Sequence, residues 1–163
     1  MRAALFALPL LPALACAPED VPPDVVYNVT VKSEVDGDNL VTTCIAEGEQ
    51  APVFEQVFRY ELYFSGSTVD LRIDGEGFAA GTRSGCDMEY ESAVWLEERD
   101  AGDVRWSLSG FAANQGAAGG CDDIPEGLDW QGSETITVEE SEDESVPVGC
   151  TYEMVTEGTL AGG

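Results

Sequence analysis

Residues 58–64 read FRYELYF, with Phe58, Tyr60, Leu62 and Phe64 on one side and Arg59, Glu61 and Tyr63 on the other. A period of two is the period of a β-strand with one buried face, and it excludes an amphipathic helix over the same residues. The pattern recurs along the chain. Val25, Tyr27, Val29 and Val31 alternate with Val26, Asn28, Thr30 and Lys32, and residues 40–46 (LVTTCIA) form a second run. In residues 68–80 Val69, Leu71 and Ile73 share a face, and in residues 87–98 so do Met88, Tyr90, Val94 and Leu96. Val104, Trp106 and Leu108 point inward in residues 104–113, and residues 134–140 (ETITVEE) and 146–160 close the series. No segment carries a convincing helical repeat.

Eight strands in sequence, joined mostly by short turns, define an all-β antiparallel meander. Several are longer than the usual five or six residues. Internal glycines (Gly75, Gly77, Gly110, Gly158) mark bulges or bends where a sheet curls. Long, bent, consecutively hairpinned strands favour an up-and-down barrel, with a β-sandwich as the alternative. In architecture the strand pattern resembles the lipocalin and avidin barrels. The G-x-W motif near the first strand of lipocalins is missing, so the resemblance implies a fold and no ligand. The outer strand faces are polar, which an outer-membrane barrel could not tolerate.

The amino-terminal segment has a different logic. Arg2 precedes thirteen uncharged residues, Ala3 to Ala15. That is short of the roughly 20 residues needed to span a bilayer but fits a secretory signal peptide over residues 1–15. Ala13-Leu14-Ala15-Cys16 resembles the lipobox of bacterial lipoproteins, with Ala13 where leucine is usual. The resemblance implies cleavage before Cys16 and a lipid on its sulfur. Cysteine arithmetic points the same way. Of Cys16, Cys44, Cys86, Cys121 and Cys150, removing the first leaves an even set for two disulfides in an oxidising compartment. Residues 16–24, rich in proline and acids, read as an extended tether, and 25–163 as a single domain. Ala17 after the lipidated cysteine favours the outer membrane over the inner, by resemblance to the enterobacterial sorting rule.

Charge and composition exclude more than they assign. Without Arg2 the chain has six basic against 32 acidic residues. Nucleic acids and anionic lipid headgroups need a basic patch and are poor partners. Such acidity keeps a monomer hydrated, and an acid-rich, lysine-poor surface resembles those of salt-adapted organisms. Histidine is absent, so no Ser-His-Asp or Cys-His pair and no histidine metal site can form. Asp36-Gly37-Asp38-Asn39 reads as a hairpin turn and residues 139–144 (EESEDE) as a solvated tip; no metal or other cofactor is expected. The Asn28-Val29-Thr30 sequon carries weight only in a eukaryotic secretory route.

An echo links Gly77-Phe78-Ala79-Ala80 before Gly85-Cys86-Asp87 to Gly110-Phe111-Ala112-Ala113 before Gly120-Cys121-Asp122. In a strict meander the fourth and sixth strands finish at the same end. That favours Cys86–Cys121 and leaves Cys44–Cys150, although four cysteines allow three pairings. The longest loop, residues 114–132, is the first place to look for a binding site. It carries Asp122, Asp123 and Trp130; Trp95 projects from the polar face of its strand and completes the candidate binding set. The expected role is non-catalytic binding of a small apolar ligand by a membrane-anchored monomer. A barrel filled by Tyr27, Phe58, Tyr60, Phe64, Tyr90, Trp106 and Tyr152 would instead serve structure or surface interaction. A carboxylate hydrolase would need two acids converging in one cleft.

Overall fold

The computed structural model describes residues 21–37, 39–45, 53–116, 121 and 124–162. These form an all-β chain with strands β1 (Val25–Ser33), β2 (Val35–Asp36), β3 (Asn39–Leu40), β4 (Glu55–Ser65), β5 (Thr68–Ile73), β6 (Glu76–Ser84), β7 (Asp87–Ser92), β8 (Trp95–Glu97), β9 (Val104–Asn114), β10 (Trp130–Ser141) and β11 (Thr151–Leu160). Around the barrel β1, β4, β5, β6, β7, β9, β10 and β11 pair with their neighbours, all antiparallel, and β11 returns to β1 to close it. The up-and-down barrel is therefore the fold, and the sandwich is not. Closure removes the unpaired edges that an open sheet would expose.

The eight strands are not quite the eight expected. Among the described residues 40–45, Leu40 joins Asn39 in a small β2–β3 hairpin and Thr42 makes one isolated bridge to Tyr152. Residues 68–80, expected as one long strand, are two. They are folded back at Asp74-Gly75, where both residues have positive φ (53° and 87°) between the paired Ile73 and Glu76. Asp-Gly is a favoured occupant of such a two-residue turn. One strand lost and one gained leave the parity of every later strand unchanged.

Parity fixes the two ends of the barrel. At one end lie the start of β1 and the turns after β4, β6 and β9; at the other lie the β2–β3 excursion and the turns after β5, β8 and β10. The first end is packed solid. Trp130, fully buried, sits against the rings of Tyr27 (5.3 Å between centroids), Tyr60 (5.5 Å) and Tyr90 (6.3 Å). Its indole N–H donates to Thr156 Oγ1 at 3.0 Å. The described residues between β9 and β10 contact this end. Tyr27 hydroxyl accepts from the Gly116 N–H, and Cys121 and Ile124 are buried.

Both disulfides join segments that connect the strands. Cys86–Cys121 ties the connection to the β6–β7 turn, and Cys44–Cys150 ties the segment after β3 to the start of β11. This is the pairing that the meander favours. The repeated Gly-Phe-Ala-Ala stretches do occur in strands running toward the same end, but they are not equivalent. Phe78 faces inward at a bulge whereas Phe111 is exposed.

Candidate functional site

Opposite the solid end the barrel is hollow. A cavity of about 670 Å³ opens between the β2–β3 hairpin and the β5–β6 and β7–β9 turns. Its lining is mostly apolar. Phe58, Ile73, Ile136 and Tyr152 form walls, Leu108 and Met154 lie deep, and Phe54, Phe78 and Trp95 stand around the mouth with the acids Asp74 and Glu76.

Three extra residues shape this half. Phe78 has no partner between the pairs Leu71–Ala79 and Arg72–Gly77, and Glu139 none between Val138–Trp106 and Glu140–Arg105. The third lies between β7 and β8, which pair with successive parts of β9 but with a one-residue slip at 92–94. Each bulge bends its strand and increases the local twist, and all three fall in the half that encloses the cavity. The slip also reverses the side-chain phase. Tyr90 and Trp95 both face inward, while Val94 and Leu96 are 51% and 46% exposed. The expected order, with Val94 and Leu96 inside and Trp95 on the polar face, is therefore corrected. An unbroken period of two cannot anticipate an inserted residue. Trp95 packs against Phe78 (5.8 Å between ring centroids) at the cavity mouth.

The other expected site residues fall elsewhere. Trp130 is not in a loop, because Asn114 ends β9 and Trp130 begins β10. It is a core residue at the solid end, away from the hollow. Asp122 and Asp123 lie outside the described residues, as does Cys16. Gly116, Cys121 and Ile124, between β9 and β10, lie at the barrel end opposite the opening.

A buried acid lines the cavity: Glu134, which is 2% exposed. Its Oε1 accepts hydrogen bonds from the Tyr60 hydroxyl at 2.9 Å and the Tyr90 hydroxyl at 2.7 Å. Tyr90 reaches it because Gly110, paired with Tyr90 on one side and Glu134 on the other, has no side chain. A Cβ on Gly110 would lie 2.3 Å from Tyr90 Cζ. Burial holds the Glu134 carboxyl above its ordinary pKa of 4.5, outweighing the two phenol hydrogen bonds, which act the other way. Burial and the neighbouring Glu134 push both phenols upward, so Tyr60 and Tyr90 remain protonated donors.

Glu134 is the residue that a strand-by-strand reading passes over, although its phase marks it. It shares parity with Ile136 and Val138, so an inward acid is implied by ETITV alone. Among the described residues no group of three histidine, cysteine, aspartate or glutamate side chains is placed to hold a metal ion. No family model, curated protein or solved structure matches this chain.

Proposed function

We propose that this protein binds a small apolar molecule in the open half of its barrel, as an exported cell-envelope protein anchored by a lipid on Cys16. The observation that carries the binding reading is the cavity of about 670 Å³, which lies within the size range of small-molecule sites and is walled by aliphatic and aromatic side chains. A barrel needed only as a scaffold would gain stability by filling that volume. The binding is non-catalytic in this reading. Glu134, Asp74 and Glu76 line the one cavity, and this reading takes them as binding groups, Glu134 within and the other two at the mouth.

Two disulfides belong to an oxidising compartment and support export. The lipobox-like segment supports the anchor, with the outer membrane favoured by Ala17. The chain enters the barrel at Val25, at the solid end. An anchor at Cys16 would thus attach on the side away from the mouth, leaving the cavity open to its surroundings.

The test uses N-phenyl-1-naphthylamine, whose fluorescence rises in apolar sites. Saturable binding is expected, and Leu108→Trp, which fills the deep part of the cavity, should weaken it about tenfold or more while outward Val57→Trp leaves it unchanged. Absence of saturable binding would overturn the reading. Intact mass of the protein from its own host tests the anchor: a diacyl or triacyl increment on Cys16 is expected, and a free thiol there would contradict it.

A further inference from the structure

We infer that the ligand is a lipophilic amine, its ammonium group held by Glu134 and its apolar body by the walls of the cavity. This rests on the binding reading above and names the chemistry of the occupant. Among the described residues Glu134 has no countercharge. Lys32, Arg59, Arg99 and Arg105 pair with Glu157, Glu61, Glu97 and Glu140, whereas Arg72 and Arg83 lie over the rings of Tyr63 and Phe64. None of these basic residues lines the cavity. A buried carboxyl without a cationic partner either keeps its proton or receives its partner from outside.

The hydrogen bonds favour the second course. Tyr60 and Tyr90 both donate to Oε1 and stabilise a carboxylate, and Oε2 is left for a ligand in the cavity that Glu134 lines. An amine entering as the free base takes the carboxyl proton and becomes the ammonium. One entering already protonated displaces that proton to water. In both cases a carboxylate–ammonium pair forms and the protons balance.

The rest of the cavity discriminates the same way. Asp74 and Glu76 stand at its mouth, and the chain carries a net charge of −25. An apolar anion such as a fatty acid would meet like charge at the entrance and again at Glu134, with no basic group to hold it. Phe58, Phe78, Trp95 and Tyr152 line it with aromatic rings, a residue type that attracts cations as well as apolar groups.

A matched set of competitors tests this against bound N-phenyl-1-naphthylamine, at about 0.5 M NaCl so that surface charge is screened. The set is 1-naphthylmethylamine, 1-naphthylmethanol and 1-naphthoate. The amine should displace the reporter at roughly tenfold lower concentration than the alcohol, as expected for a charged hydrogen bond in place of a neutral one, with naphthoate the weakest. Glu134→Gln, whose amide oxygen can still accept from Tyr60 and Tyr90, should lose the preference for the amine over the alcohol, each displacement being read relative to the variant's own affinity for the reporter. Equal displacement by amine and alcohol in the unsubstituted protein overturns the inference and leaves cavity binding standing. So does an amine preference that persists in Glu134→Gln. If the reporter itself does not bind, the cavity reading fails, and this inference with it. The wild-type comparison decides the question even if the variant does not fold.

Discussion

Glu134 and Gly110 are a pair made by parity. The acid faces inward because every second residue of β10 does, and its second phenol partner reaches it only because Gly110 leaves the intervening strand bare. Gly110→Ala should therefore displace the Tyr90 ring and lower stability by about 1–3 kcal/mol, the cost of overpacking a core. Chemical denaturation checks this, and an unchanged midpoint would refute the contact. The carboxyl itself should appear in the pH dependence of stability. Its folded pKa is raised above 4.5, so the native state holds the proton more tightly than the unfolded chain does. Its contribution is then fully present below about pH 4.5 and lost as pH rises through the folded value. The groups facing Glu134, the Tyr60 and Tyr90 phenols, stay protonated throughout that range. Thermal melts of wild type and Glu134→Gln should thus diverge in the variant's favour with rising pH; a constant gap would contradict a buried, raised Glu134. The clue to this residue was present in the alternation of ETITV. The two tyrosines that meet it come from β4 and β7, and only the closed barrel brings those strands to β10.

At the scale of the element, the sequence determines strand phase well and strand boundaries poorly. Inward positions in β1, β4, β5 and β9 follow the alternation directly. Asp74-Gly75 carried the same hairpin signal that was read at Asp36-Gly37, yet the long alternating run around it suggested one continuous strand. Gly77 marks the bulge at Phe78, whereas those at Glu139 and residues 92–94 leave no comparable mark, because an extra residue changes register without changing composition. They also bear most directly on the mouth, and at Trp95 one of them turns a surface residue into a cavity residue. The disulfides were accessible for another reason: strand parity survives the two offsetting errors in the count. Each closes a long loop, with separations of 35 and 106 residues. On the chain-entropy model, Cys86→Ser with Cys121→Ser should cost roughly 3–4 kcal/mol, and the Cys44–Cys150 equivalent about one more. Denaturant titration of the two double variants tests both, and a loss under about 1 kcal/mol in either would show that the tie is dispensable.

The whole molecule combines a half-solid, half-hollow barrel with a surface of strongly negative net charge, −25 over the full chain. Such charge opposes the compact state through self-repulsion, which salt relieves. The melting temperature should rise between about 0.01 and 0.5 M NaCl, as the screening length shrinks from about 30 Å to a few ångströms. A melting temperature that falls with salt would mean that ion pairs outweigh repulsion. The fold confines the hollow to one end, because Trp130 and the three tyrosines around it fill the other. The central claim, that this hollow is a ligand site, is tested most directly by methyl-resolved NMR during titration with 1-naphthylmethylamine. Saturable shifts should appear at Ile73, Leu108, Ile136 and Met154, while Val29 and Val69 in the solid half stay still. Shifts confined to the solid end or the outer surface, or none that saturate, would contradict it.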